Sequence, residues 1–107
     1  MPGRLAGKRA VVVGAGQTPG ETIGNGRATA ILFAREGATV MCVDRRLASA
    51  EETVAMIGGE GGRASAYEAD ITREADCEAM AAEAKARLAR IDILHNNVGI
   101  GLRDRSV

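Results

Sequence analysis

The chain has few of the residues that mark disulfide-rich, metal-binding or strongly charged proteins. It holds two cysteines, and its 14 basic residues are balanced by 14 acidic ones, so there is no net charge. Cys42 lies in an apolar run and Cys77 in a helical pattern, and neither their number nor their spacing suits a disulfide framework or a zinc site. We expect both to be small buried hydrophobic residues in a reducing compartment. The charge balance does not indicate a nucleic-acid or anionic-membrane surface.

Long hydrophobic runs are lacking as well. The apolar run at residues 10–13 is interrupted by Gly14, which leaves it too short for a signal-peptide core or a membrane span. We therefore expect no membrane partner and a cytoplasmic location. The length of 107 residues predicts a single domain, residues 1–107, with a modest core.

What the sequence does contain is glycine, concentrated after the first apolar run. Residues 10–13 are followed by a glycine-rich stretch, 14–26, and then by a helix-like segment, 27–36. Backbone without a Cβ can approach a ligand closely, and the first N–H groups of a helix favour an anion such as a diphosphate. The pattern is not a strict Gly-x-Gly-x-x-Gly, because Pro19 breaks it. A glycine-rich turn without a ligand therefore remains an alternative.

The remaining apolar patterns predict alternating strands and helices. Gly37 is expected to end the first helix, and Ser49 with Glu52 has the form of a capping box for the second. The third strand is weakly apolar, which suits a sheet edge, and Thr72 is a possible cap for the third helix. Helical spacing of Cys77, Met80, Ala81, Ala84 and Leu88 predicts the face that this helix buries. The expected strands are residues 10–13, 39–43, 63–69 and 91–95, and the expected helices are 27–36, 49–57 and 73–90.

This alternation predicts an α/β fold, a partial Rossmann sheet of about four parallel strands in the order 3-2-1-4. Three helices would cover it, the first two on one face and the third on the other. The chain reverses direction between strands one and four, so a ligand crevice is expected at their carboxyl ends.

An acidic residue strengthens the ligand interpretation of the glycine stretch. Asp44 ends the second strand, 18 residues after Gly26. This is close to the spacing of about 20 residues expected between the glycine motif and the acid that binds an adenosine ribose. A carboxylate accepts both ribose hydroxyls and repels a 2′-phosphate, which favours NAD over NADP. Arg45 and Arg46 argue mildly the other way, since a guanidinium beside the ribose can accommodate a phosphate.

Four motifs follow one another along the chain: Gly24-Asn25-Gly26-Arg27-Ala28, Asp44, Asp70-Ile71 and Asn96-Asn97-Val98-Gly99. Together they resemble the short-chain dehydrogenase/reductase family, over residues 7 to about 101. Nine residues separate Gly14 from Gly24, more than in the usual family motif, although enoyl-reductase relatives have a similarly extended loop.

The resemblance implies a dinucleotide site with one role for each motif. The backbone of the glycine stretch would contact the diphosphate, Asp44 would bind the ribose with Arg45 beside it, and the next motifs would border the adenine and the nicotinamide. The implied cofactor-binding residues are Gly14, Gly16, Ile23, Gly24, Asn25, Gly26, Asp44, Arg45, Asp70, Ile71, Asn97, Val98 and Gly99.

The resemblance also implies an activity, the NAD(P)-dependent oxidation of an alcohol or reduction of a carbonyl. The family uses a Ser and a Tyr-x-x-x-Lys pair for it. Tyr67 is the only tyrosine, and Ile71 stands four residues further on. The sole histidine, His95, lies in an apolar strand, where we expect a packed imidazole. We therefore assign no catalytic residue and no metal ligand, and we expect hydride transfer and an alcohol or carbonyl substrate only in a full-length form.

Other functions remain open. The chain could be a non-catalytic module that binds NAD or another adenine nucleotide, or a truncated product without a function of its own. A methyltransferase-type Rossmann domain also carries an acid after its second strand. Strand four is expected to be an open edge, which predicts self-association.

Overall fold

The fold is an alternating series of strands and helices around one parallel sheet. The computed structural model describes residues 3–16 and 25–97 of the chain. The sheet has the strand order β3-β2-β1-β4, and every neighbouring pair is parallel, as predicted. The elements are β1 (Arg9–Val13), α1 (Asn25–Arg35), β2 (Thr39–Asp44), α2 (Leu47–Gly59), β3 (Arg63–Glu68), α3 (Glu74–Leu88) and β4 (Ile93–Asn96).

The strand register brings three carboxyl ends to one edge of the sheet. Val13, the last residue of β1, pairs with Val43 of β2 and with Asn96 of β4. Gly14 and Asn97, which follow β1 and β4, and Asp44, which is the last residue of β2, therefore lie along the same edge. Because the crevice of an open parallel sheet forms at the carboxyl ends of its strands, this edge is where a ligand is expected.

Alternate residues of the central strands supply two cores. Val12 and Cys42 face one side with α1 and α2, whereas Val11 and Met41 face the other side with α3. Met41 is fully buried, and the burial of such a side chain contributes about 1.5–3 kcal/mol. The predicted distribution of the helices over the two faces is confirmed. α1 and α2 contribute Ala30, Ala50 and Ile57 to the first core, and α3 contributes Ala84 and Leu88 to the second.

Two further predictions are confirmed, the glycine that ends α1 and the position of the third strand. Gly37 follows α1 with φ +99, a conformation that favours glycine at the end of a helix. The weak third strand, β3, does lie at an edge of the sheet.

The predicted helix caps are wrong. α2 begins at Leu47, before the expected cap Ser49, and its N-cap residue Arg46 makes no side-chain capping bond. Ser49 is instead buried inside the helix, and its Cβ lies where a side chain at Gly16 would have to go. Likewise α3 has Arg73 as its N-cap, and the Thr72 hydroxyl donates to Asp70 rather than capping the helix.

Smaller differences concern α3 and β4, whereas the half-buried His95 agrees with the prediction. Ala81 is exposed and Cys77 is only half-buried, so the face that α3 buries is narrower than its apolar spacing predicts. β4 begins at Ile93 rather than Ile91. His95 lies edge-on to Phe33, with ring centroids 6.2 Å apart, in line with the expected packed imidazole.

Candidate functional site: the carboxyl ends of the strands

The turn after β1 is fixed by main-chain bonds to β2. The N–H groups of Gly14 and Ala15 both donate to the carbonyl of Val43, at 2.8 and 3.0 Å. Gly14 has φ +78, and a Cβ on Gly26 would lie 1.7 Å from the Gly14 carbonyl oxygen. The start of α1 therefore packs directly on this turn, and a larger residue at position 26 would separate them.

Asp44 joins the same turn through its side chain. Its Oδ2 accepts the N–H of Gly16 at 2.9 Å, and its Oδ1 accepts the N–H of Arg46 at 3.0 Å. A Cβ on Gly16 would lie 2.3 Å from the Cβ of Ser49, so only glycine fits beside α2 at this point. Each oxygen of an ionised carboxylate has two acceptor positions. Asp44 can therefore accept further hydrogen bonds from hydroxyl groups while it holds the turn.

Arg45 and Arg46, which follow Asp44, are both exposed. The positive charge of Arg45 is close enough to Asp70 to contribute a small lowering of the pKa of that carboxyl. The edge of the site beyond Asp44 therefore carries positive charge.

The segment after β3 is connected to the end of β2. The N–H of Ala69 donates to the Asp44 carbonyl at 3.1 Å. The hydroxyl and the N–H of Thr72 both donate to Asp70, at 2.6 and 3.0 Å, and these bonds hold the pKa of Asp70 below its ordinary value. The carbonyl of Ile71 accepts the Cys77 thiol. Asp70 is thus an ionised carboxylate with a fixed orientation, one residue beyond the backbone that pairs with Asp44.

Asn97 continues the register of β4 past its end. Its N–H donates to the carbonyl of Val13 at 2.9 Å, so it lies beside Gly14 at the same edge. The structure therefore places the predicted residues Gly14, Gly16, Gly26 and Asp44 in one connected turn. Asn97 joins it through its own N–H, and Asp70 lies next to Ala69, whose N–H donates to the Asp44 carbonyl. Ile23, Gly24, Val98 and Gly99 lie outside the described residues.

Sequence reasoning did not assign a role to Arg27 or Thr53, which lie behind the turn. Arg27 is only 6% exposed and Thr53 is fully buried. The Arg27 Nε donates to Thr53 Oγ1 at 2.9 Å, and the Thr53 hydroxyl donates to the Ala15 carbonyl at 2.8 Å. The one available signal was a charged residue directly after Gly26 at the start of a helix, which does not by itself tell a buried arginine from a solvated one.

The described residues also lack two features, a metal-binding cluster and a membrane-spanning helix. Within residues 3–16 and 25–97, no three histidine, cysteine or acidic side chains are grouped so that they could hold a metal ion. In the same part of the chain, none of the helices combines the length and the apolar character that crossing a membrane requires.

Comparison with known proteins gives one consistent family. The model of the short chain dehydrogenase family matches residues 8–106. The 7alpha-hydroxysteroid dehydrogenase of Escherichia coli (strain K12) is 41% identical over 98 residues, which are 92% of this chain and 36% of that protein. The chain thus spans about a third of the length of the curated relatives it matches.

Solved structures agree with this similarity. A crystal structure described as a short-chain dehydrogenase/reductase from Burkholderia xenovorans aligns with a TM-score of 0.85 and 48% identity, covering 92% of this chain and 38% of that one. A 7 alpha-hydroxysteroid dehydrogenase complexed with NADH and 7-oxo glycochenodeoxycholic acid aligns with a TM-score of 0.78 and 40% identity, covering 85% and 33%. A metagenomic short-chain oxidoreductase in complex with NADP aligns with a TM-score of 0.80 and 30% identity, covering 90% and 41%.

Proposed function

Because the chain belongs to the short-chain dehydrogenase/reductase family, we propose that the carboxyl ends of its strands bind a nicotinamide dinucleotide, with NAD preferred over NADP. The observation that carries this proposal is the carboxylate of Asp44. It ends β2 and is held by the N–H groups of Gly16 and Arg46, so its orientation is fixed before a ligand arrives.

The hydrogen-bonding groups and the charges at this edge support the binding of a dinucleotide. α1 begins at Asn25, and Gly26 packs directly on the turn after β1, so a diphosphate at this turn would lie near the positive end of the helix. Within the described residues the Asp44 carboxylate accepts the N–H groups of Gly16 and Arg46, and its remaining acceptor positions match the two hydroxyls of a ribose. A 2′-phosphate at the same place would meet a carboxylate, which is the physical reason for preferring NAD.

Arg45 and Arg46 are the reason to keep NADP as the second candidate cofactor. Both are exposed beside Asp44, and a guanidinium can pair with a phosphate in a bidentate manner. For NADP to be preferred, that attraction would have to exceed the repulsion from Asp44.

The other contacts in the proposed site follow the order of the strands. Main-chain groups of Gly14, Gly16, Ile23, Gly24, Asn25 and Gly26 would face the diphosphate. Asp70 and Ile71 would border the adenine, and Asn97, Val98 and Gly99 the ribose on the nicotinamide side. When bound, the dinucleotide would accept or donate a hydride, and these residues would orient it.

Hydride transfer between the cofactor and an alcohol or carbonyl is proposed for a form of the protein that also holds a Ser and a Tyr-x-x-x-Lys pair. These 107 residues contain no Tyr-x-x-x-Lys, because Ile71 stands four residues after Tyr67. That observation favours a second candidate function for the chain as given, a module that binds the dinucleotide without chemistry.

The test is calorimetric titration of the chain with NADH and NADPH, with two aspartate variants compared. Asp44→Ala removes the proposed ribose contact. Asp92→Ala is the matched control, because Asp92 also accepts a main-chain N–H, from Arg9 at 2.8 Å, at the opposite edge of the sheet.

We expect wild type to bind NADH more tightly than NADPH. Asp44→Ala should weaken NADH binding by about tenfold to a hundredfold, since hydrogen bonds to a charged group are worth about 1.5–3 kcal/mol. NADPH binding should change less, and Asp92→Ala should bind both as wild type does. Absence of NADH binding at millimolar concentration would refute the proposal, and equal losses in both aspartate variants would refute the role of Asp44.

A further inference from the structure

The peptide group between Ala15 and Gly16 is held at both of its ends. Its carbonyl oxygen accepts the Thr53 hydroxyl at 2.8 Å, and its N–H donates to Asp44 at 2.9 Å. The C=O and N–H of a trans peptide point in opposite directions. The two bonds therefore fix the rotation of this one plane from opposite sides.

Arg27 contacts both the Thr53 hydroxyl and an alternative acceptor of that hydroxyl, the Ser49 carbonyl. That hydroxyl has one hydrogen and, among the described residues, two acceptors within reach, the Ala15 carbonyl at 2.8 Å and the Ser49 carbonyl at 3.3 Å. The Arg27 Nε donates to the hydroxyl oxygen at 2.9 Å, and its Nη2 donates to the same Ser49 carbonyl at 3.3 Å. Arg27 thus competes for the alternative acceptor and leaves Ala15 as the favoured one.

The burial of this arrangement makes it costly to break. Arg27 is 6% exposed and Thr53 is fully buried, and the charge of Arg27 is paired with Glu52 at 2.9 Å. A buried polar group that loses its partner keeps its full desolvation penalty. Loss of the Thr53 hydroxyl would remove two hydrogen bonds, the one that the Ala15 carbonyl accepts and the one that the Arg27 Nε donates.

We propose that Arg27 and Thr53 are positioning residues for the ribose site: by orienting the Ala15–Gly16 peptide they direct the Gly16 N–H onto Asp44 and so fix the carboxylate that receives the ribose. This inference rests on the proposed dinucleotide function. Neither residue touches the ligand. Their effect passes through one peptide plane, from the interface of α1 and α2 to the end of β2.

The test compares Thr53→Val, which keeps the shape and removes the hydroxyl, with Thr53→Ser, which keeps the hydroxyl. Thr39→Val is the matched control, because Thr39 is a half-buried threonine at the amino end of β2, away from the site. Two quantities are measured, the dissociation constant for NADH and the hydrogen-exchange rate of the Gly16 amide. The Gly14 amide, which donates to Val43 at 2.8 Å, serves as the internal reference for the fold.

We expect Thr53→Val to raise the dissociation constant for NADH about threefold to tenfold, the range that loss of one buried hydrogen bond produces. Gly16 exchange should be faster while Gly14 exchange is unchanged. Thr53→Ser should restore both values, and Thr39→Val should alter neither. A residue that only stabilised the fold would accelerate the two amides together.

A second variant, Arg27→Lys, keeps the charge beside Glu52 and removes the Nε donor. It should also accelerate Gly16 exchange relative to Gly14, which keeps the inference testable if Thr53→Val does not fold. If wild type binds NADH and Thr53→Val binds it equally well with unchanged Gly16 exchange, the positioning role is wrong and the proposed function stands. If wild type does not bind NADH, the proposed function fails instead.

Discussion

The N–H of Gly16 donates to Oδ2 of Asp44 across 2.9 Å, so the residue that ends β2 holds the turn that follows β1. The other carboxylate oxygen is held by Arg46. A ligand that binds Asp44 therefore meets a carboxylate whose direction is already set, and little ordering cost remains to be met on binding.

The contact between Gly26 and Gly14 predicts a large penalty for a single methyl group. A Cβ at position 26 would lie 1.7 Å from the Gly14 carbonyl oxygen. Backbone must move to relieve such an overlap, so Gly26→Ala should lower the free energy of unfolding by about 3 kcal/mol. Chemical denaturation monitored by circular dichroism measures it.

Gly58→Ala is the control for this substitution, because a Cβ at position 58 would meet nothing within 4 Å. Gly58 lies within α2, where alanine is favoured over glycine, and the variant should gain about 0.5–1 kcal/mol. Equal effects of the two substitutions would contradict the packing of α1 on the turn.

The hydrogen bonds from Thr72 to Asp70 predict a pH-dependent effect. The Thr72 hydroxyl, followed by its N–H, lowers the pKa of Asp70 below its ordinary value of 3.8. A carboxyl with a lowered pKa stabilises the fold above 3.8, and this contribution is lost as the pH falls through the lowered value. Thr72→Val should therefore raise the pKa of Asp70 and reduce stability at neutral pH, with the difference disappearing in strong acid.

NMR titration of the Asp70 carboxyl and unfolding at the two extremes of pH measure this effect. Thr72→Ser retains the hydroxyl and should behave as wild type. A difference between Thr72→Val and wild type that persisted in strong acid would show that packing, not the charge of Asp70, is responsible.

The two cysteines should differ in reactivity. Cys42 is fully buried, and burial raises the pKa of its thiol to about 12, so the reactive thiolate is scarce and enclosed. Cys77 is half-buried on α3. Iodoacetamide at neutral pH should modify Cys77 first and Cys42 only after unfolding, as mass spectrometry of digests would measure. Modification of both at one rate in the folded protein would contradict the buried position of Cys42.

The exposed side chain of Leu94 on the outer strand β4 leads us to predict self-association at that edge. It lies on the outermost strand of the described sheet with 61% of its surface exposed, and an open apolar edge favours pairing with another chain. Sedimentation velocity should find associated wild type and a larger monomer fraction for Leu94→Lys. Leu32→Lys, at a leucine of 53% exposure on α1, should leave association unchanged. A monodisperse wild-type monomer would count against the prediction.

The strand order and the position of Asp44 at a strand end could be predicted because both depend on patterns local to the chain. Buried parallel strands form continuous apolar runs such as residues 40–43, and the alternation with helices restricts the strand order. The position of Asp44 then follows from its place at the carboxyl end of β2. The family resemblance rests on the same local motifs, and the match to residues 8–106 confirms it.

The caps and the support behind the turn could not be predicted, because they depend on tertiary contacts. Ser49 has the local chemistry of a cap, yet its packing against Gly16 places it inside α2. The link from Arg27 to Ala15 passes through Thr53, which is distant from both in the sequence. No periodicity or motif relates these three positions before the chain is folded.

The most direct test of the dinucleotide site is amide shift mapping of the ¹⁵N-labelled chain during titration with NADH. The largest shifts are expected at Gly16, Asp44, Arg45, Asp70, Ile71 and Asn97, all at the carboxyl ends of the strands. The amide resonances of Arg9, Thr39 and Asp92, at the opposite edge of the sheet, should not shift. Shifts confined to that opposite edge, or no shifts at saturating NADH, would contradict the account.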